Sequence, residues 1–200
     1  MNVKLVSRYS LFFLLGFFLS CLSNTSNQMG LGKLSGTWLN TGEKLALSEL
    51  PHQVIALNIY SPNCVPCIKE LPTLHRIQER LSKDPRFAIY IGVDPILVSD
   101  SVASDSEQGV ADTRERAIAI MKKEIIQHNI KIPVIILDPP FRVSSESFVT
   151  ATPETILIRT NPWNIYYNFI GAISEEKLPS DIDSDPKVKF FFSAMGARKL

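Results

Sequence analysis

Cys64 and Cys67, in the stretch SPNCVPCIKELP (residues 61–72), are the residues of this 200-residue chain whose types and spacing are best suited to chemistry. A cysteine pair three apart can be half of a metal site, a structural disulfide, or a redox centre that exchanges electrons with other proteins. The only other cysteine is Cys21, and three thiols supply neither a multi-bridge framework nor a four-cysteine zinc site. His52, His75 and His128 are scattered without ligand-like spacing. An inert bond across so short a loop would stabilise little, which weakens the purely structural reading.

Exchange chemistry needs a thiolate, and an ordinary cysteine with a pKa of ~8.5 is mostly protonated at neutral pH. Ile68, Leu71, Leu74, Ile77 and Leu81 lay an apolar stripe at helical spacing and predict a helix that begins near Cys64, kinked at Pro72. Unpaired N–H groups and the positive end of the helix dipole then favour the anion of Cys64, which is assigned as the nucleophile. Cys67 sits one turn further in as the resolving cysteine. Glu70, one turn beyond it, can approach the cysteines from beneath, with a solvated helix-surface glutamate paired to its neighbours as the alternative. Partial burial would raise its pKa and fit it to donate and accept a proton for Cys67.

The elements that must position these residues follow from period and punctuation. VIALNIY (residues 54–60) reads as a strand covered on both faces and ended by Ser61-Pro62-Asn63, and FAIYIGV (residues 87–93) as a second. Strand, helix and strand make a parallel crossover. Ahead of them, Thr41-Gly42 predicts a turn between TWLN and KLALSEL. Residues 94–112, polar and small, read as an exposed inserted loop before a helix over Thr113 to His128 with Ala117, Ile120, Met121, Glu124 and Ile125 toward its buried side. A strand at Val134 to Leu137, a short helix in FRVSSESF, a strand within TATPETILI, and a strand from Ile165 to Ile170 after an Asn161-Pro162 turn complete the expected order. Asp185-Pro186 starts a closing helix whose VKFFFSAM face is expected to pack. Trp38 and Trp163 are expected in core or edge packing.

Charge and the amino terminus bound the setting. Net charge is +1, so no field is available to hold phosphate backbones, and nucleic acid is excluded as a partner. Lys4 and Arg8 precede LFFLLGFFL (residues 11–19), a run that suits a signal-peptide core and is short for a membrane span. The following FLSC resembles a bacterial lipobox, with Phe18 where an aliphatic residue is usual. It implies a signal peptide over residues 1–20 and lipidation of Cys21, with an uncleaved anchor as the alternative. Residues 21–33, rich in Ser, Asn and Gly, read as a flexible tether.

NCVPC at a strand-to-helix junction, followed by Thr152-Pro153 just before a strand, resembles the thioredoxin fold. Asn58 within the first strand, Glu70, KELP and the insertion after the second strand are similar to the membrane-tethered TlpA/ResA-type thiol–disulfide oxidoreductases. The resemblance implies an α/β domain over residues 34–200, with a central mixed sheet flanked by helices and an insertion after the second core strand. It implies that Thr152-Pro153 is a cis-proline loop that faces the cysteines and pairs with an extended substrate. It further implies an extracytoplasmic, lipid-anchored protein-disulfide reductase without a cofactor, acting on disulfide-containing exported proteins, apocytochrome c among them. An unidentified membrane electron donor would supply it. Asn63 departs from the tryptophan that commonly precedes the first cysteine. Two alternatives carry less: GVDP (residues 92–95) resembles Sco-type copper chaperones, whose three-residue cysteine spacing and downstream histidine are missing here, and a thiol peroxidase would want its own peroxide pocket.

Overall fold

A computed structural model of the chain describes residues 33–101 and 106–197. Cys21, the leader over 1–20 and all but the last residue of the 21–33 tether lie outside the described residues. Among the described residues, seven strands form one mixed sheet in the order β2-β1-β5-β4-β3-β6-β7. β1 (Ser35–Trp38) and β2 (Lys44–Ala46) make the expected amino-terminal hairpin, turned at Gly42 with a φ of 76° that suits glycine.

The middle of the sheet is β3 (Val54–Ile59), parallel to β4 (Phe87–Val93) on one side and antiparallel to β6 (Glu154–Thr160) on the other. Its side chains alternate. Ala56 joins the cluster that holds Leu71, Leu74, Ile77 and Leu81 of α1 (Val65–Leu81), while Ile55, Leu57 and Ile59 join a second cluster with Leu47, Phe141 and Val149. Burying a leucine such as Leu74 completely is worth ~2–3 kcal/mol, so the α1 stripe is what holds the helix against the sheet. α1 runs through Pro72 as one helix, although that residue supplies no N–H to the preceding turn.

The segment expected as an inserted loop after β4 is mostly helical. Asp94 caps the short α2 (Pro95–Ser99) by accepting from the Ile96 N–H at 3.0 Å. α3 (Glu107–His128) starts six residues before the expected Thr113, because Ser106 accepts from the Gly109 N–H at 3.1 Å and supplies the cap. The first turns of α3 are exposed, and exposed turns carry no apolar period to read. Thr113, Ala117, Met121 and Glu124 form its buried side, with Ile120 and Ile125 half-buried.

β5 (Val134–Leu137) pairs parallel to β4 and antiparallel to β1. FRVSSESF is not a helix: it forms an irregular loop closed by a Val143–Val149 bridge, with the Val143 N–H held by buried Asp94 at 2.9 Å. β6 turns at Asn161-Pro162 into the edge strand β7 (Trp163–Ile170). Two helices follow. α4 (Pro179–Ser184) escaped the sequence reading since it buries only Ile182, and α5 (Pro186–Met195) has the expected Asp185 cap and buries Val188, Phe191, Phe192 and Met195. Asp183 of α4 takes Arg76 of α1 in a two-point ion pair at 3.0 and 2.5 Å, and Arg80 stacks on the Phe192 ring. The carboxy-terminal helices are therefore clamped to α1, the helix that bears the cysteines.

Candidate functional site

Cys64 and Cys67 are joined as a disulfide, with their Cα atoms 5.2 Å apart. Cys64 is the N-cap of α1: its backbone is extended, and its Sγ accepts the Cys67 N–H at 3.1 Å. A sulfur there lies against the positive end of a 17-residue helix, which favours a thiolate once the bond is reduced. The two sulfurs differ in access. Cys64 is half-buried, between exposed Asn63 and exposed Val65, whereas Cys67 is wholly buried. An incoming disulfide can therefore reach Cys64 and not Cys67.

Glu70, one helical turn beyond Cys67 on α1, is 0 % exposed. Its Oε1 accepts the backbone N–H of Ile173 at 2.6 Å, and its Oε2 accepts Nδ2 of Asn58 at 3.1 Å. Asn58 in turn donates to Thr155 Oγ1 on β6 at 2.9 Å. Burial pushes the Glu70 carboxyl up to about 7, against those two hydrogen bonds, which favour the charged form. A carboxyl poised near neutrality one helical turn from a buried cysteine is suited to exchanging a proton with it. The segment after β7 supplies Ile173, a contact the sequence gives no means of anticipating.

Thr152-Pro153 carries a cis peptide bond, as do Pro139-Pro140 and Asn161-Pro162. Register places the 152–153 loop: Glu154, its next residue, pairs with Ile59, two residues before Ser61. The loop and the cysteine motif thus leave the same end of the sheet from adjacent strands. Sequence reading missed what holds that loop. Glu154, 1 % exposed, accepts Thr150 N at 3.0 Å, Thr150 Oγ1 at 2.7 Å and Ala151 N at 3.1 Å on one oxygen, and Asn168 Nδ2 at 2.6 Å on the other. Glu154→Ala leaves those donors without their acceptor and is expected to cost on the order of 3 kcal/mol, measured by urea unfolding, with the loop losing amide protection first.

Tyr60, at the end of β3, is fully buried and donates its hydroxyl to Glu124 of α3 at 2.5 Å. Burial and that carboxylate hold the phenol far above its ordinary pKa. His128 approaches the same carboxylate at 3.5 Å. His75 instead accepts the Lys131 N–H on the outer side of α1 and takes no part at the cysteines. Trp38 packs on Tyr90 with ring centres 5.4 Å apart. Among the described residues, no three His, Cys, Asp or Glu side chains gather around a common metal position.

The sequence matches no protein-family model, and no curated protein matches it. Solved structures do resemble the fold. A putative thiol:disulfide interchange protein DsbE from Chlorobium tepidum superposes with a TM-score of 0.52 at 17% identity, over 84% of this chain and 94% of that one. A secreted thiol-disulfide isomerase from Corynebacterium glutamicum gives 0.51 at 20% identity, over 80% and 85%. A thioredoxin-family thiol:disulfide interchange protein from Chlorobium tepidum TLS gives 0.50 at 17%, over 80% and 93%. With the mixed sheet, the crossover through α1 and the disulfide at its N-cap, this likeness assigns the chain the thioredoxin-like fold.

Proposed function

We propose that this chain is an extracytoplasmic thiol–disulfide oxidoreductase that reduces disulfides of exported proteins through Cys64 and Cys67. The observation that carries the reading is the asymmetry of the pair: an accessible sulfur at a helix N-cap, bonded to a buried sulfur, with a buried carboxyl one turn further along the same helix. The structural neighbours support it, since those proteins are described as thiol:disulfide interchange and isomerase proteins, one of them secreted. The leader-like run before Cys21 supports an exported setting, with a lipid on Cys21 as the anchor. No helix among the described residues is long and apolar enough to cross a membrane.

In the proposed cycle the reduced Cys64 thiolate attacks one sulfur of a substrate disulfide. A mixed disulfide forms, and the first substrate thiolate leaves and takes a proton. Cys67 gives its proton to Glu70 and attacks the Cys64 sulfur. The second substrate thiolate leaves and is protonated, and the Cys64–Cys67 bond re-forms. Two electrons have passed to the substrate, and an external dithiol donor must return them. Thr152-Pro153 is proposed to pair with the extended substrate through backbone groups.

The first test is dithiothreitol-coupled reduction of insulin by the purified chain. Turnover well above the dithiothreitol background is expected, and a rate equal to that background would remove the catalytic reading. Apocytochrome c is the finer substrate proposal; normal c-type cytochrome levels in a strain lacking the protein would exclude it.

A further inference from the structure

The partners of Glu70 are arranged for its charged form alone. Both oxygens face donors: Oε1 the Ile173 N–H, Oε2 the Asn58 amide nitrogen. If Glu70 takes up a proton, the resulting O–H has no acceptor among these partners, and a buried hydroxyl without one is costly. Yet burial holds the carboxyl near neutrality, so the protonated form is one that this site must house. Ile173 offers a main-chain N–H, which cannot become an acceptor. Asn58 can. Its Oδ1 is buried without any hydrogen-bond partner, and turning an amide over exchanges O and N with almost no change of shape.

We propose that Asn58 is a two-position amide that follows the protonation of Glu70. With Glu70 ionised, Nδ2 donates to Glu70 Oε2 and to Thr155 Oγ1, as in the present structure. With Glu70 protonated, the amide turns over. Oδ1 then accepts the Glu70 O–H, and the Thr155 hydroxyl reverses to donate to the same oxygen. Each arrangement leaves one end of the amide without a partner and satisfies the other end twice. The two arrangements are therefore close enough in energy for a single proton to choose between them. This rests on the oxidoreductase reading for its purpose: Asn58 would be a positioning residue that lets Glu70 hold the proton it takes from Cys67.

Two other charged groups act on Glu70 through charge alone, without a hydrogen bond to it. Glu175, on the segment after β7, acts on Glu70 through its charge and is ion-paired with Lys69 at 3.4 Å; Lys187 of α5 acts with the opposite sign. The strongest rival is Thr73, one turn further along α1, whose buried hydroxyl also lacks a partner.

The test is a pH titration of the full, oxidised, isotope-labelled chain by nuclear magnetic resonance, following the Glu70 carboxyl carbon and the Asn58 side-chain amide together. The two signals are expected to move with one shared midpoint. In Glu70→Gln, whose side-chain nitrogen stands in for the protonated oxygen, the Asn58 amide is expected to stay at its acid-limit position at every pH. An Asn58 amide that stays flat while Glu70 titrates overturns the proposal, and the wild-type titration gives that answer even where the variant fails to fold. If Asn58 is flat and Thr73→Val moves the Glu70 midpoint, the proton is shared with Thr73 and the proposal is equally overturned. Reduction of Cys64–Cys67 by a small thiol, followed over the same pH range, separates the two ideas. A rate with no inflection at the Glu70 midpoint, beside a coupled Asn58 titration, removes the proton role and leaves the amide switch standing.

Discussion

Cys64→Ser is expected to lower disulfide exchange by at least about a thousandfold, to the uncatalysed background, because a serine hydroxyl stays protonated where a thiol at the helix N-cap ionises. Cys67→Ser is expected to fail differently. Its Cys64 still attacks, but the mixed disulfide has no neighbour to resolve it, so a covalent adduct with the substrate accumulates and is released by dithiothreitol. Mass spectrometry of each variant after incubation with insulin distinguishes the two outcomes. The burial of Cys67 and the accessibility of Cys64 are what assign the roles. An adduct on Cys64→Ser and none on Cys67→Ser would reverse them.

Glu70→Gln is expected to change both the pH dependence of stability and that of thiol reactivity. In the folded protein the carboxyl titrates near 7, against ~4.3 for an unfolded glutamate. Folding therefore takes up a proton between those values. The stability this confers is fully present below the unfolded value and is lost as pH rises through the folded one. The difference is worth on the order of 3 kcal/mol, and Gln removes that slope. Urea unfolding of the oxidised chain at pH 5 and pH 8 reads it directly: wild type should weaken across the interval and the variant should not. In the reduced chain, loss of the negative charge should lower the thiol pKa values and carry the alkylation profile to lower pH. Profiles that coincide with wild type in both measurements would place Glu70 outside the proton chemistry.

Much of this was legible in the residues. The strand VIALNIY, the Ser61-Pro62-Asn63 break and the α1 stripe are local signals, and together they suffice to place Cys64 at a helix N terminus. What could not be read was contact between distant segments. Glu70 is three residues from Cys67, but its depth is set by Asn58, 12 residues away, and by Ile173, 103 residues away. Glu154 reads as one more strand residue until four donors are seen to converge on it. α4 and the start of α3 are mostly solvent-facing and carry no hydrophobic period; the signal of α3 lies in its Ser106 cap, and α4 has only a proline at its start, with no capping side chain at Leu178. FRVSSESF misled for the opposite reason: its spacing suits a turn of helix, and Asp94 instead fixes the backbone from another element.

The most direct measurement is the reduction potential of the Cys64/Cys67 pair, obtained by equilibrating the chain with glutathione or dithiothreitol buffers and counting free thiols. A tethered reductase requires reversible reduction with a potential close to that of thioredoxin, about −270 mV. A potential near the oxidant DsbA, about −120 mV, would reverse the direction of electron flow. A bond that stays oxidised in every buffer would make the pair a structural staple and end the account.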